Sequence, residues 1–203
     1  MTPRLHWSFI TFWNCDFSFP ISQLSTTAMT KHTDIAKKLY ARIVDQARKE
    51  NFYRSCGVPD SVDGRFESIA VHCFLVLYRI KNEDEKGADL AQSLFDVMFE
   101  DMDGNMREMG ISDVSVGAEV KRMARSLLGR VAAYDSTLEV NGDETGNDRL
   151  EVALDNNLYG TIKVSKVHLG KMADYMRREI KSLSIQPFSD LLAGVCRFGS
   201  PPS

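Results

Sequence analysis

Between Arg65 and Lys81 the chain carries apolar residues on almost every side of a helix, and few folds have room for such a segment. Phe66, Ile69, Ala70, Cys73, Phe74 and Leu77 recur at helical spacing. Val71, Leu75 and Val76 widen that face until only a narrow line through Arg65, Ser68, His72 and Arg79 stays polar. A helix of this kind belongs in the middle of a bundle. No stretch alternates with period two, so the expected class is all-α, a single globular bundle of about six helices. A chain of 203 residues, 43% hydrophobic and 26% charged, is long and apolar enough to bury the core this requires.

The other helices follow from spacing and breakers. Asp34 is read as the cap of a helix with Ile35, Leu39, Ile43, Val44 and Ala47 inward. A third runs from about Glu83 to Met102, with Gly104 and Gly110 as breaks and Asn105 to Met109 at most a short turn. Val114 to Asn141 and Leu150 to Leu158 flank a break at Gly142 to Asn147. Ser165 caps a last long helix, Val164 to Leu183, which Pro187 stops. Residues 187–203 are expected to form a flexible tail.

Residues 1–33 do not match the rest. Trp7 and Trp13 sit among Phe9, Phe12, Phe17 and Phe19, with Pro3 and Pro20 interrupting any period. Thr11, Asn14, Asp16 and Ser18 break the apolar run a secretory signal needs, and Arg4 alone is too little for a transit peptide. The segment is read as poorly ordered or as lying upstream of a true start at Met29, with an aromatic membrane-surface anchor as the rival. No run of about eighteen apolar residues occurs, so no membrane-spanning helix is expected.

Charge and composition exclude several functions. The net charge of −3 argues against general nucleic-acid affinity. It is unevenly spread: Asn82 to Asp113 holds ten acidic residues, and Lys163 to Lys181 holds six basic ones. The two regions either pair internally or mark a docking surface. Cys15, Cys56, Cys73 and Cys196 show no zinc or redox spacing, so reduced thiols in a reducing compartment are expected. The acidic run with His72 lacks the Glu-x-x-His repeats of a bundle metal site, and Asp101 to Gly104 places glycine too early for a calcium loop. No nucleophile elbow or phosphate-cradling glycine loop is present. No catalytic residue, cofactor or metal is expected. Charges inside a bundle must be paired, so Arg65, His72 and Arg79 are read as a structural polar core with Asp96 and Asp103. At least one of the two arginines is expected to pair with a carboxylate between Asp96 and Asp113.

The segment Phe52 to Glu67, FYRSCGVPDSVDGRFE, combines turn chemistry with a helix start: Pro59 fixes φ, Asp60 and Asp63 supply caps and Gly64 frees the backbone. It resembles the signature of the ubiquinol–cytochrome c chaperones. Tyr40 to Arg48 is similar to that family's entry helix, Gly64 to Leu75 to its central helix, and Phe95 to Asp113 to its second block. Ser61, Met106 and Ile111-Ser112 depart mildly from the usual residues. The resemblance covers about Asp34 to Leu183 and implies a chaperone domain over residues 34–186, of α-proteobacterial type, with no enzymatic activity.

By that resemblance the protein is expected to assist assembly of the bc1 complex by binding newly made cytochrome b. The ribosome or a small partner protein are further implied partners. Its expected location is the cytoplasm or the inner face of the cytoplasmic membrane, or the mitochondrial matrix side in a eukaryote. Tyr53, Val58 and Phe66 are the candidates for contact with an apolar client, each also readable as packed core. Lys171, Arg177 and Arg178 are candidates for a lipid, RNA or acidic partner, and also readable as solvated charge. The alternative is a helical module docking to a ribosome or membrane surface without a cytochrome b role.

Overall fold

The computed structural model describes residues 26–138 and 144–203, which contain eight helices and no strand. They are α1 Thr26–Ala47, α2 Glu50–Arg54, α3 Val62–Ile80, α4 Glu85–Glu108, α5 Asp113–Leu138, α6 Glu144–Asn157, α7 Lys166–Ser184 and α8 Phe188–Leu192. Six are long, as expected for the all-α bundle, and α2 and α8 are single short turns. No helix among the described residues is long and apolar enough to cross a membrane.

The all-round apolar segment sits where its composition demands. Every residue of α3 from Glu67 to Leu77 is buried, and α1, α4, α5 and α7 all pack against it. Around this axis α1 lies along α4, α4 touches α5, α5 touches α6 and α6 touches α7. The remaining gap, between α7 and α1, is closed by α2, α8 and the C-terminal segment. Each fully buried Leu, Ile or Phe of this core contributes about 1.5–3 kcal/mol of transfer free energy.

Several helix ends differ from the sequence reading. Asp34 is no cap: α1 begins at Thr26 and Asp34 is an exposed interior residue. Gly104 does not break α4, since a glycine in a helix costs only about 1 kcal/mol and buried Met102 and Met106 offset it. The stop comes at Gly110, with φ +85°, where Ile111 N–H donates to the Met106 carbonyl at 3.1 Å and Gly110 N–H to that of Arg107 at 2.9 Å. The helix expected from Leu150 begins at Glu144, and the end expected for α5 at Asn141 lies outside the described residues. Ser165 does cap α7, its Oγ accepting from His168 N–H at 3.3 Å. The expectations for residues 1–25 lie outside the described residues.

The tail expected to fray packs instead. Leu191 and Cys196 are buried, and Phe198 lies against the core. Its fastening is made to main-chain groups, which leave no mark in the side-chain pattern.

Candidate functional site

The signature segment folds as a rigid loop joining α2 to α3. Gly57 adopts φ +67°, and a Cβ there would stand 2.7 Å from Nδ1 of His168 on α7. Gly64 lets the first turn of α3 close on the loop: a Cβ at this position would lie 2.1 Å from the Pro59 carbonyl oxygen. The cap of α3 is Ser61, whose Oγ accepts from Gly64 N–H at 3.1 Å. Asp60, read from sequence as a cap, pairs with Arg65, whose Nε donates to Oδ1 at 2.8 Å. Tyr159 Oη donates to the Cys56 carbonyl at 2.6 Å, tying the loop to the α6–α7 connection. Burial raises the Cys56 thiol to about 11, with Lys171 opposing, so it is a packed hydrophobe rather than a nucleophile.

Beside the loop lies a buried polar chain centred on His72, which is 0% exposed. Its Nδ1 is 2.7 Å from the Ser68 carbonyl, so it carries the proton; Nε2, 2.9 Å from Tyr175 Oη, accepts from that hydroxyl. Gln46 Nε2 donates to Tyr175 Oη at 2.9 Å and to the Gly199 carbonyl at 2.9 Å. Ser68 Oγ donates to the Ala47 carbonyl at 3.0 Å. The rings of Phe52 and Phe198 stand T-shaped to the imidazole at 4.9 and 5.6 Å between centroids. Burial lowers the His72 pKa to about 4, the Ser68 bond partly opposing and Lys49 adding to the drop. The ring is neutral, saturated with hydrogen bonds and out of reach of a substrate.

The expected pairing of Arg65 or Arg79 with the acidic segment does not form. Arg65 is exposed and pairs locally with Asp60. Arg79 pairs with Glu83 at 2.5 Å and donates to the Gln186 carbonyl at 3.0 Å. Asp96 accepts from Gln92 at 2.8 Å, and Asp103 from Arg107 at 2.6 Å, both on α4 itself. The reason is rotational: α4 turns Leu94, Phe95, Met98 and Met102 toward the core and its carboxylates elsewhere. Asp101 reaches another helix, accepting from Tyr40 Oη of α1 at 2.9 Å, and Asp113 at the start of α5 pairs with Arg107 of α4.

The charges that α3 does bury come from elsewhere. Glu67 forms a two-pronged pair with Arg130 of α5, and Arg130 also covers the Phe66 ring at 5.7 Å. Burial raises the Glu67 pKa, with the Arg130 hydrogen bond and charge pulling it back. Lys81 bonds Asp135 of α5 at 2.5 Å and lies over Tyr78. Glu67 stood inside the signature with no role assigned, and Arg130 gave no signal on a helix whose azimuth the sequence leaves open. Among the described residues, no three His, Cys, Asp or Glu side chains gather as a metal-holding group.

The contact candidates separate. Val58 is core, at 3% exposure, held in the loop by its N–H bond to the Phe52 carbonyl. Tyr53 and Phe66 are half-buried, and Val62, which the sequence reading passed over, stands 66% exposed beside them at the start of α3. Lys171 donates to the Ser203 backbone oxygen at 2.8 Å, and Arg178 to the Ser200 carbonyl and to Glu179. Arg177 lies 3.4 Å from Asp174. The basic face is thus partly taken up by the chain's own tail.

Residues 54–198, from the signature loop to the packed tail, match the model of the ubiquinol-cytochrome C chaperone family. The chain belongs to that family. Ubiquinol-cytochrome-c reductase complex assembly factor 1 of Xenopus laevis is 24% identical over 158 residues, covering 77% of this chain and 76% of the relative. The human protein of that name is 24% identical over 157 residues, and the match spans 51% of its length. The crystal structure of the Cbp3 homolog from Brucella abortus superposes with a TM-score of 0.74 at 31% identity, covering 85% of this chain and 93% of that one. The bundle is thus a fold shared with that structure, and in this chain the signature residues shape one loop while His72 is a packing element.

Proposed function

We propose that this protein is a non-catalytic chaperone for assembly of ubiquinol–cytochrome c reductase and that its client is newly made cytochrome b. The observation that carries the reading is the family match over residues 54–198, joined to a signature loop whose glycines and cap serve shape alone. The similar proteins of Xenopus and human are named as assembly factors of that complex. His72 has both ring nitrogens engaged, which supports a holding role over acid–base chemistry. The client contact is placed at the lip of the loop, where Tyr53, Val62 and Phe66 offer apolar surface beside the Arg65–Asp60 pair. Such a lip shields an exposed apolar helix by burial rather than by reaction.

Deleting the gene and recording heme b and heme c1 spectra of the membranes tests this. Selective loss of the bc1 signal is expected, and normal levels would overturn it. Val62→Glu should lower the bc1 signal while the purified protein keeps its melting temperature, since a change at so exposed a site costs little stability.

The second reading, docking to an anionic membrane or the ribosome, is favoured by exposed Lys163, Lys166 and Lys181 with exposed Ile162 and Val167. Sedimentation with phosphatidylglycerol vesicles, wild type against a Lys163→Glu, Lys166→Glu variant, tests it. Equal pelleting of the two proteins would remove the membrane form of this reading.

A further inference from the structure

The C-terminal segment leaves α8 and runs without helix or turn from Val195 to Ser203 across the gap between α7 and α1. It is bound there in an unusual way. The Gln186 side chain reads both main-chain groups of Arg197, donating to its carbonyl at 2.7 Å and accepting from its N–H at 3.1 Å. Two residues on, Gly199 is read in the same manner: Gln46 donates to its carbonyl at 2.9 Å, and Glu179 accepts from its N–H at 2.8 Å. Asn51 donates to the Pro202 carbonyl at 3.3 Å, Lys171 to the Ser203 backbone oxygen at 2.8 Å and Arg178 to the Ser200 carbonyl. Between the two doubly read residues, the Phe198 ring stands T-shaped to that of His72, 5.6 Å between centroids.

This is the pairing of a β-strand with period two, in which fixed side chains replace the neighbouring strand. Almost every polar contact is to backbone, so the channel selects for an extended chain with one aromatic anchor and is nearly indifferent to other side chains. We propose that the channel between α7 and α1 is a binding site for an extended, non-helical peptide segment of another protein, filled in cis by residues 197–203. The source of the ligand rests on the chaperone reading, in which an unfolded client segment presents free main-chain groups. A tethered tail faces its own channel at an effective concentration on the order of millimolar, so it excludes weak ligands and yields to ones with more contacts.

Gly199 gives a way to loosen the tail without touching the channel. A Cβ at this position would lie 2.7 Å from Glu179 Oε1. The experiment measures anisotropy of a fluorescent peptide copying residues 195–203 with the purified full chain, as wild type and as Gly199→Ala. Hydrogen exchange over residues 197–203 reports whether the tail has left. With the tail released, binding should tighten about tenfold or more over wild type. Adding Gln186→Ala should weaken it again, and a peptide carrying the same Gly199→Ala change should bind poorly. Where Gly199→Ala leaves the tail seated or fails to fold, the full chain with Phe198→Ala, which lacks the aromatic anchor, is measured instead. A released tail with no gain in peptide binding, or equal binding of the two peptides, would overturn the proposal. Those results are read on purified protein and leave the bc1 spectra of the deletion strain untouched, so the failure of either idea is visible apart from the other.

Discussion

His72 shows how a titratable residue can shape stability without doing chemistry. Its pKa is about 4 in the folded protein against 6.5 as the ordinary value, because the charged form would sit in an apolar interior. The unfolded chain therefore binds the proton first as pH falls, and the stabilisation present above pH 6.5 drains away down to about pH 4. Urea unfolding at pH 7 and pH 5 should differ by about 2 kcal/mol from this group, and His72→Gln should lose most of the difference. Glu67 works in the opposite sense, since its raised pKa makes the folded state the better proton acceptor. The two glycines of the signature differ from others in the same chain. Gly64→Ala drives a Cβ into the Pro59 carbonyl, which is backbone and cannot step aside, so a loss of more than about 2 kcal/mol is expected in thermal unfolding. Gly104→Ala meets nothing within 4 Å on an exposed helix face and should raise stability by about 0.5–1 kcal/mol.

Among the elements, α3 was the most legible because burial writes itself into composition: Phe66 to Leu77 is apolar but for a narrow line through Ser68 and His72 and the single Glu67. The partners of its charges were not legible. A helical wheel places Arg65 and Arg79 on one line, yet says nothing of which side α4 turns toward them. Local chemistry won at both positions, through Asp60 and Glu83. Among the pairs that join two helices is Glu67 of α3 with Arg130 of α5, with side chains only 10% and 17% exposed. Breaking such a pair from one side leaves an uncompensated charge, so Arg130→Met or Glu67→Leu alone should cost about 3–5 kcal/mol by guanidinium unfolding. The double change should recover most of that loss, and the difference between the single and double costs measures the coupling.

At the scale of the whole molecule, six helices stand around or along one buried axis, and the chain's last residues close the ring. That closure escaped the sequence because its bonds use carbonyls and N–H groups common to any residue; Pro201 and Pro202 gave the opposite signal, of a fraying end. The placement of two buried cysteines has a practical outcome. Cys73 is in the central helix, Cys196 lies in the closing segment, and burial lifts both thiols to about 12. Neither sulfur reacts with an alkylating agent until its own surroundings open. Time-resolved iodoacetamide labelling read by mass spectrometry then supplies two clocks in one molecule. Cys196 should be modified first if the end segment lifts by itself, whereas Cys73 should wait for disruption of the entire bundle.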